Sequence, residues 1–240
     1  MDVLHSGFLD SILELREDDL EPGRAEVNWF SSINAQKLYD SYVAMDLDEN
    51  GMLSRSELKR FGETKATFTD AFVNRFFEEN NTYDGEIVRY CPSVHPPLGC
   101  VIYILFLALL TQDFKCFVDL VLAIQNKKEA AAVHYFFRIL DVNRKGYLEQ
   151  FTLYYFFKDI ITMLQQNGQE VLDFNDICTE IFDIVKPITS NQITCQDLIN
   201  CSQADVVITL LTDFSGFNEY ETRDLPAADA PLEEGDTVVV

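Results

Sequence analysis

Between Asp46 and Glu57 the chain reads DLDENGMLSRSE, a spacing of oxygen donors suited to a hard divalent cation. Asp46, Asp48 and Asn50 stand at positions 1, 3 and 5 of a twelve-residue loop, and Met52 offers its backbone carbonyl at position 7. Ser54 at position 9 can act through a bridging water, and Glu57 at position 12 can chelate through both carboxylate oxygens. Ca2+ takes roughly six to eight oxygens, so this set predicts a calcium loop with a dissociation constant of about 10⁻⁷ to 10⁻⁵ M. Gly51 occupies position 6, where the backbone turns into the left-handed region that a Cβ disfavours. A merely solvated acidic turn would not need Gly51, Leu53 and Glu57 in the same register.

Such a loop must be held between two helices, and a lone hand leaves its apolar face and its short strand unpartnered. Residues 34–44, with Leu38, Tyr42 and Met45 on one face, form the expected entering helix, and 54–61 the leaving one. Three relatives follow. The second enters through 68–79, carries Asp84, Gly85 and Ile87, and leaves through DFKCFVDLVLAI. The third enters through 129–140, loops through DVNRKGYLEQFT from Asp141 to Thr152, and leaves through TLYYFFKDIITML. The fourth enters through 174–185, passes Lys186 and Ile193, and leaves through 194–200. The expected fold is all-α and EF-hand-like, with two pairs of helix-loop-helix hands. Ile87 should face Leu53 across one strand pair, and Ile193 should face Leu148 across the other.

The later loops keep the shape of a hand and lose much of its cage. Asp141 and Asn143 suit positions 1 and 3 of the third loop, yet Lys145 takes position 5 and Thr152 replaces the bidentate glutamate. An ammonium aimed at the ion would weaken binding, which makes this a weak or lost second site and a structural module. The second and fourth loops lack the final glutamate, and Lys186 holds the first position of the fourth. The aromatic cluster Tyr154, Tyr155, Phe156 and Phe157, with Phe136, Phe137 and Phe151, reads as core at helical spacing; a target-peptide groove is the alternative.

The 240 residues, 48% apolar and 12% aromatic, are enough for a substantial core. A formal charge of -22, with no cluster of Lys and Arg, disfavours nucleic acid and anionic membrane as partners. Six cysteines without a CxxC pair and three scattered histidines argue against zinc, and the thiols read as reduced, cytosolic and mostly buried. No histidine–carboxylate metal cluster or Gly-rich phosphate loop supports catalysis, so the chain is not expected to be an enzyme.

The expected organisation is an amphipathic amino-terminal helix (1–25) carrying Leu4, Phe8, Ile12 and Leu15, a first pair of hands (26–126), a second, degenerate pair (127–224) and a disordered acidic tail (225–240). Within the first pair, 88–112 departs from every neighbouring pattern. It holds three of the seven prolines and an apolar run, 101–110, too short for the ~20 residues a membrane helix needs. Removing it restores a regular hand. Because valine codons begin with GT and one glutamine codon is CAG, its ends fit a translated intron of 25 codons, with a genuine insertion as the alternative.

The stretches FLDSILELR, NWFS, NGMLS, TYDGE, LDVNRKGYLEQFTLYYFF, EIFDIVKP and ITCQDLIN, in this order between Val3 and Arg223, resemble the gamma type of the B'' family of protein phosphatase 2A regulatory subunits. The similarity covers the carboxyl-terminal half of that family. The resemblance implies a calcium-binding regulatory subunit that meets the phosphatase's scaffold and catalytic subunits and directs the catalytic subunit to substrates. It also implies a cytoplasmic protein with centrosomal, microtubule-associated or nuclear locations. Of the family's calcium ligands, Asp46, Asp48, Asn50, Met52 and Glu57 match fully, and Asp141 and Asn143 in part. A free-standing sensor would have several intact loops and a methionine-lined groove; one good loop and four methionines argue against it. A stand-alone calcium buffer or structural scaffold protein remains the alternative.

Overall fold

The computed structural model describes residues 23, 28, 31–48, 52–80, 87–88 and 112–223. The expected amino-terminal helix, the interior of the 88–112 segment and the acidic tail therefore lie outside the described residues. Helix α1 (Ser32–Met45) begins where the Ser31 hydroxyl accepts the Asn34 N–H at 3.3 Å, which satisfies one orphan donor of the first turn. It buries Leu38, Tyr42 and Met45, one stripe at the expected spacing. Strand β1 (Met52–Leu53) and helix α2 (Arg55–Lys65) complete the first hand.

Helix α3 (Asp70–Glu79), capped by the Thr69 hydroxyl, enters the second hand and leads to β2 (Ile87–Val88). The two strands pair antiparallel with Leu53 opposite Ile87, the register expected from the loop alignment. Helix α4 (Gln112–Gln125) then occupies the place of the second hand's leaving helix. Its Phe117 is fully buried and meets Tyr42 and Phe61 edge-on, at centroid distances of 5.4 and 5.6 Å. Burial of such a ring contributes about 1.5–3 kcal/mol and an edge-on pair about 0.5–1.5 kcal/mol more. One phenylalanine thus ties the second hand to both helices of the first, on the far side of the anomalous segment.

The second pair comprises α5 (Ala130–Leu140), β3 (Tyr147–Leu148), α6 (Gln150–Gln166), α7 (Phe174–Val185), β4 (Ile193–Thr194) and α8 (Cys195–Asn200). Leu148 lies opposite Ile193, again as expected, and both are completely buried. The aromatic cluster divides. Phe136, Phe137, Phe156 and Phe157 are core, whereas Phe151 is 62% exposed and Tyr154 47%, so the core reading fails for those two.

Two further helices, α9 (Ala204–Thr212) and α10 (Phe214–Thr222), close the molecule. The apolar run of α9 packs against α3, α5, α6 and α7, and its buried Val207, Ile208, Leu210 and Leu211 cover both pairs of hands. Backbone bonds from Thr69 N–H to the Thr212 carbonyl (3.1 Å) and from Phe214 N–H to the Thr67 carbonyl (2.8 Å) stitch this end to the second hand. At Gly216 a Cβ would stand 2.2 Å from Thr209 Cγ2, so the close approach of α9 and α10 requires glycine.

The seam between the pairs is also ionic. Arg75, nearly buried, holds Glu78 and Glu79 at 2.6 Å each and donates to the Ile139 carbonyl at 3.3 Å. Arg144 reaches Glu79 from the third loop at 3.2 Å. The Asp159 carboxylate of α6 accepts the Ala71 N–H at 2.6 Å and so caps the first turn of α3 from outside. Among the described residues, no helix is long and apolar enough to cross a membrane.

Candidate metal centre

The first loop brings Asp46 from the end of α1, Asp48 from the loop and Glu57 from the first turn of α2 to one centre. Carboxylate oxygens of the three lie within 4.8 Å of one another. Two oxygens each about 2.4 Å from a shared Ca2+ lie at most about 4.8 Å apart, so the donor set fits one calcium ion. Asp46 and Glu57 are buried and Asp48 is exposed, which gives a cage closed at the back and open to solvent at the front. Asn50 and Gly51 lie outside the described residues, and Met52 is the first residue of β1.

Glu57 is held before any ion is considered. Its Oε1 accepts the Leu47 N–H at 3.0 Å, and its Oε2 accepts the Ser54 N–H at 2.9 Å and the Ser54 hydroxyl at 2.7 Å. The Ser54 hydroxyl in turn accepts the Glu57 N–H at 3.3 Å, a reciprocal cap over the start of α2. Burial by itself raises the Glu57 carboxyl, but the hydrogen bonds from Ser54, Leu47 and Asp48 outweigh it and leave the group below the ordinary carboxylate range. The position-12 carboxylate is therefore held in its ionised form and oriented by its own loop.

Each loop of the second pair retains one end of this arrangement. In the third, Asp141 is buried, its Oδ1 accepting the Lys145 N–H at 3.0 Å and its Oδ2 the Gly146 N–H at 2.7 Å. Gly146 adopts φ +79°, the turn that position 6 demands. Asn143 is exposed, and the carboxylate at position 12 is replaced by the buried hydroxyl of Thr152. Lys145 differs from expectation: its ammonium pairs with Glu149 at 2.6 Å and lies over the Tyr147 ring, so its charge is engaged along the loop.

The fourth loop keeps the opposite end. Lys186 at position 1 adopts φ 51°, while Asp197 at position 12 reproduces the part played by Glu57. Its Oδ1 accepts the Ile188 N–H at 3.3 Å, and its Oδ2 accepts the Thr194 N–H at 2.9 Å and hydroxyl at 2.6 Å. The Thr194 hydroxyl holds the Asp197 carboxyl below its ordinary range, with backbone donors reinforcing it against burial. Attention to glutamate alone passed over Asp197. The signal was the matching spacing of Ser54-x-x-Glu57 and Thr194-x-x-Asp197.

No protein-family model matches the chain. It is 42% identical over 223 residues, 93% of its length, to the B'' gamma regulatory subunit of serine/threonine-protein phosphatase 2A from Bos taurus. The Xenopus tropicalis protein of the same description is 41% identical over 227 residues. A probable B'' subunit of Arabidopsis thaliana, TON2, is 31% identical over 225 residues. The chain spans 43% of the Bos taurus protein and 45% of the Xenopus tropicalis one, about half the length of the curated relatives it matches. A solved chain of a PP2A PR70 holoenzyme superposes with a TM-score of 0.70 at 21% identity, covering 89% of this chain and 70% of that one. That likeness establishes the fold. By its sequence, the chain is similar to the gamma-type B'' regulatory subunits of protein phosphatase 2A over about half their length.

Proposed function

We propose that this chain is a calcium-binding regulatory component of protein phosphatase 2A, of B'' type and without catalytic activity of its own. The observation that carries this reading is the 42% identity with B'' gamma over 93% of the chain. Its partners are then the scaffold and catalytic subunits of the phosphatase, and its role is to direct the catalytic subunit to substrates or to microtubule and centrosomal locations in the cytoplasm. Asp46, Asp48, Asn50, the Met52 carbonyl and Glu57 hold the calcium ion, with Ser54 acting through water. The converging carboxylates of Asp46, Asp48 and Glu57 support that assignment. An ion bound there joins the end of α1 to the start of α2 and stabilises whatever surface those helices present, by mass action.

The test is co-purification of the tagged chain with recombinant scaffold and catalytic subunits, with and without a calcium chelator and with 88–112 present or deleted. Retention of both subunits supports the proposal. Loss of all association in every condition, with calcium binding intact, makes the chain a stand-alone buffer.

A further inference from the structure

Outside the metal centre, Cys195 and His134 bring a thiol against an imidazole. Cys195, the first residue of α8, places its Sγ 3.1 Å from Nδ1 of His134 on α5. The two helices belong to different hands and lie against one another. His134 is exposed and Cys195 half-buried, so the pair opens to solvent from the imidazole side. Cys116 and Cys178 are buried, and Cys201 lies 3.5 Å from the Ile184 carbonyl oxygen, which takes no proton.

We propose that Cys195 is a thiol–disulfide exchange site with His134 as its base, and that its co-reactant is a small-molecule disulfide. Burial pushes the Cys195 thiol up, so near neutral pH the proton resides on sulfur and attack requires a neighbouring acceptor. As Sγ attacks one sulfur of the disulfide, its proton passes to His134 Nδ1. The disulfide's S–S bond breaks and a new one forms at Cys195. The departing thiolate takes the proton from the imidazolium and leaves as a thiol. Cys195 is thereby oxidised and the departing half reduced, with no other reactant. The adduct lies between α5 and α8, next to the Thr194–Asp197 cap, and pushes apart the two hands that β3 and β4 hold together.

The experiment treats the full chain with oxidised glutathione and follows each cysteine by mass spectrometry. Cys195 should be thiolated at least ~10-fold faster than Cys201, Cys178 or Cys116, and His134→Ala should slow Cys195 alone by at least ~10-fold. Imidazole added to the buffer should restore much of that rate in His134→Ala, which a purely structural role for His134 would not allow. Cys195 reacting no faster than Cys201 in the unaltered protein overturns the proposal. So does an unchanged Cys195 rate in His134→Ala, or a slowed rate that imidazole leaves untouched.

Discussion

The first loop and the loops of the second pair share one order of helix, short strand and helix but differ in chemistry. In the first, a carboxylate at position 1 and another at position 12 face a common centre. In the second pair those two features are divided: Asp141 survives in one loop and Asp197 in the other. Both survivors bond to backbone N–H groups, and that work continues without an ion. The position-1 carboxylate stabilises the turn around Gly146, and the position-12 carboxylate caps a helix. In each loop of the second pair, the carboxylate present is thus the one that the loop's own backbone uses.

The largest effect expected from breaking this contrast is at Glu57. Glu57→Gln keeps a carbonyl acceptor for the loop but removes the bidentate anion, so calcium affinity should fall on the order of 100-fold or more. Titration calorimetry would detect it; a variant that binds as tightly as the parent would mean the ion does not use Glu57. The converse change should build a second centre. Lys145→Asn with Thr152→Glu supplies position 5 and position 12 around the preformed Asp141, and the stoichiometry should rise from one ion to two. Thr152 is buried, so the double variant must also retain its helical circular dichroism for the count to be read.

Much of the fold was legible because loop positions dictate strand register. Once Leu53, Ile87, Leu148 and Ile193 are placed at position 8, the pairing in both sheets follows. The same reasoning located α4 as a leaving helix despite the segment before it, because Phe117, Leu120 and Val121 keep helical spacing. Other features were not legible. ADVVITLLT is apolar on too many sides to show an amphipathic period, and it shows none because α9 is enclosed by both pairs. Arg75 reads as a surface charge on a helix until the fold brings Ile139 and Arg144 beside it. Phe151 and Tyr154 share the spacing of their buried neighbours, and only the packing of α6 shows which face they occupy.

A smaller effect separates the two position-12 carboxylates. Asp197→Ala should cost about 1 kcal/mol, the usual loss of a helix cap, and leave calcium affinity unchanged. Urea denaturation gives the first quantity and calorimetry the second. A fall in calcium affinity on this substitution would mean that the fourth loop contributes to the ion site and that the division drawn between the pairs is wrong.

The smallest effect is the acid dependence of those same two groups. Both carboxyls are held below their ordinary values, 4.5 for Glu57 and 3.8 for Asp197, by hydrogen bonds formed only in the folded chain. The unfolded state therefore binds more protons in this range, and stability should decline as pH falls. Each contribution is fully present above the ordinary value and is lost as pH drops through the lowered one. Calcium affinity should accordingly stay nearly level from pH 7 to about 5.5 and weaken once Glu57 begins to protonate, below about 4.5. In metal-free protein, Asp197→Asn should flatten the decline of the urea midpoint as pH falls below the ordinary value of 3.8. An identical slope in that variant would show that the Thr194 hydroxyl and the backbone donors bind Asp197 no better charged than neutral.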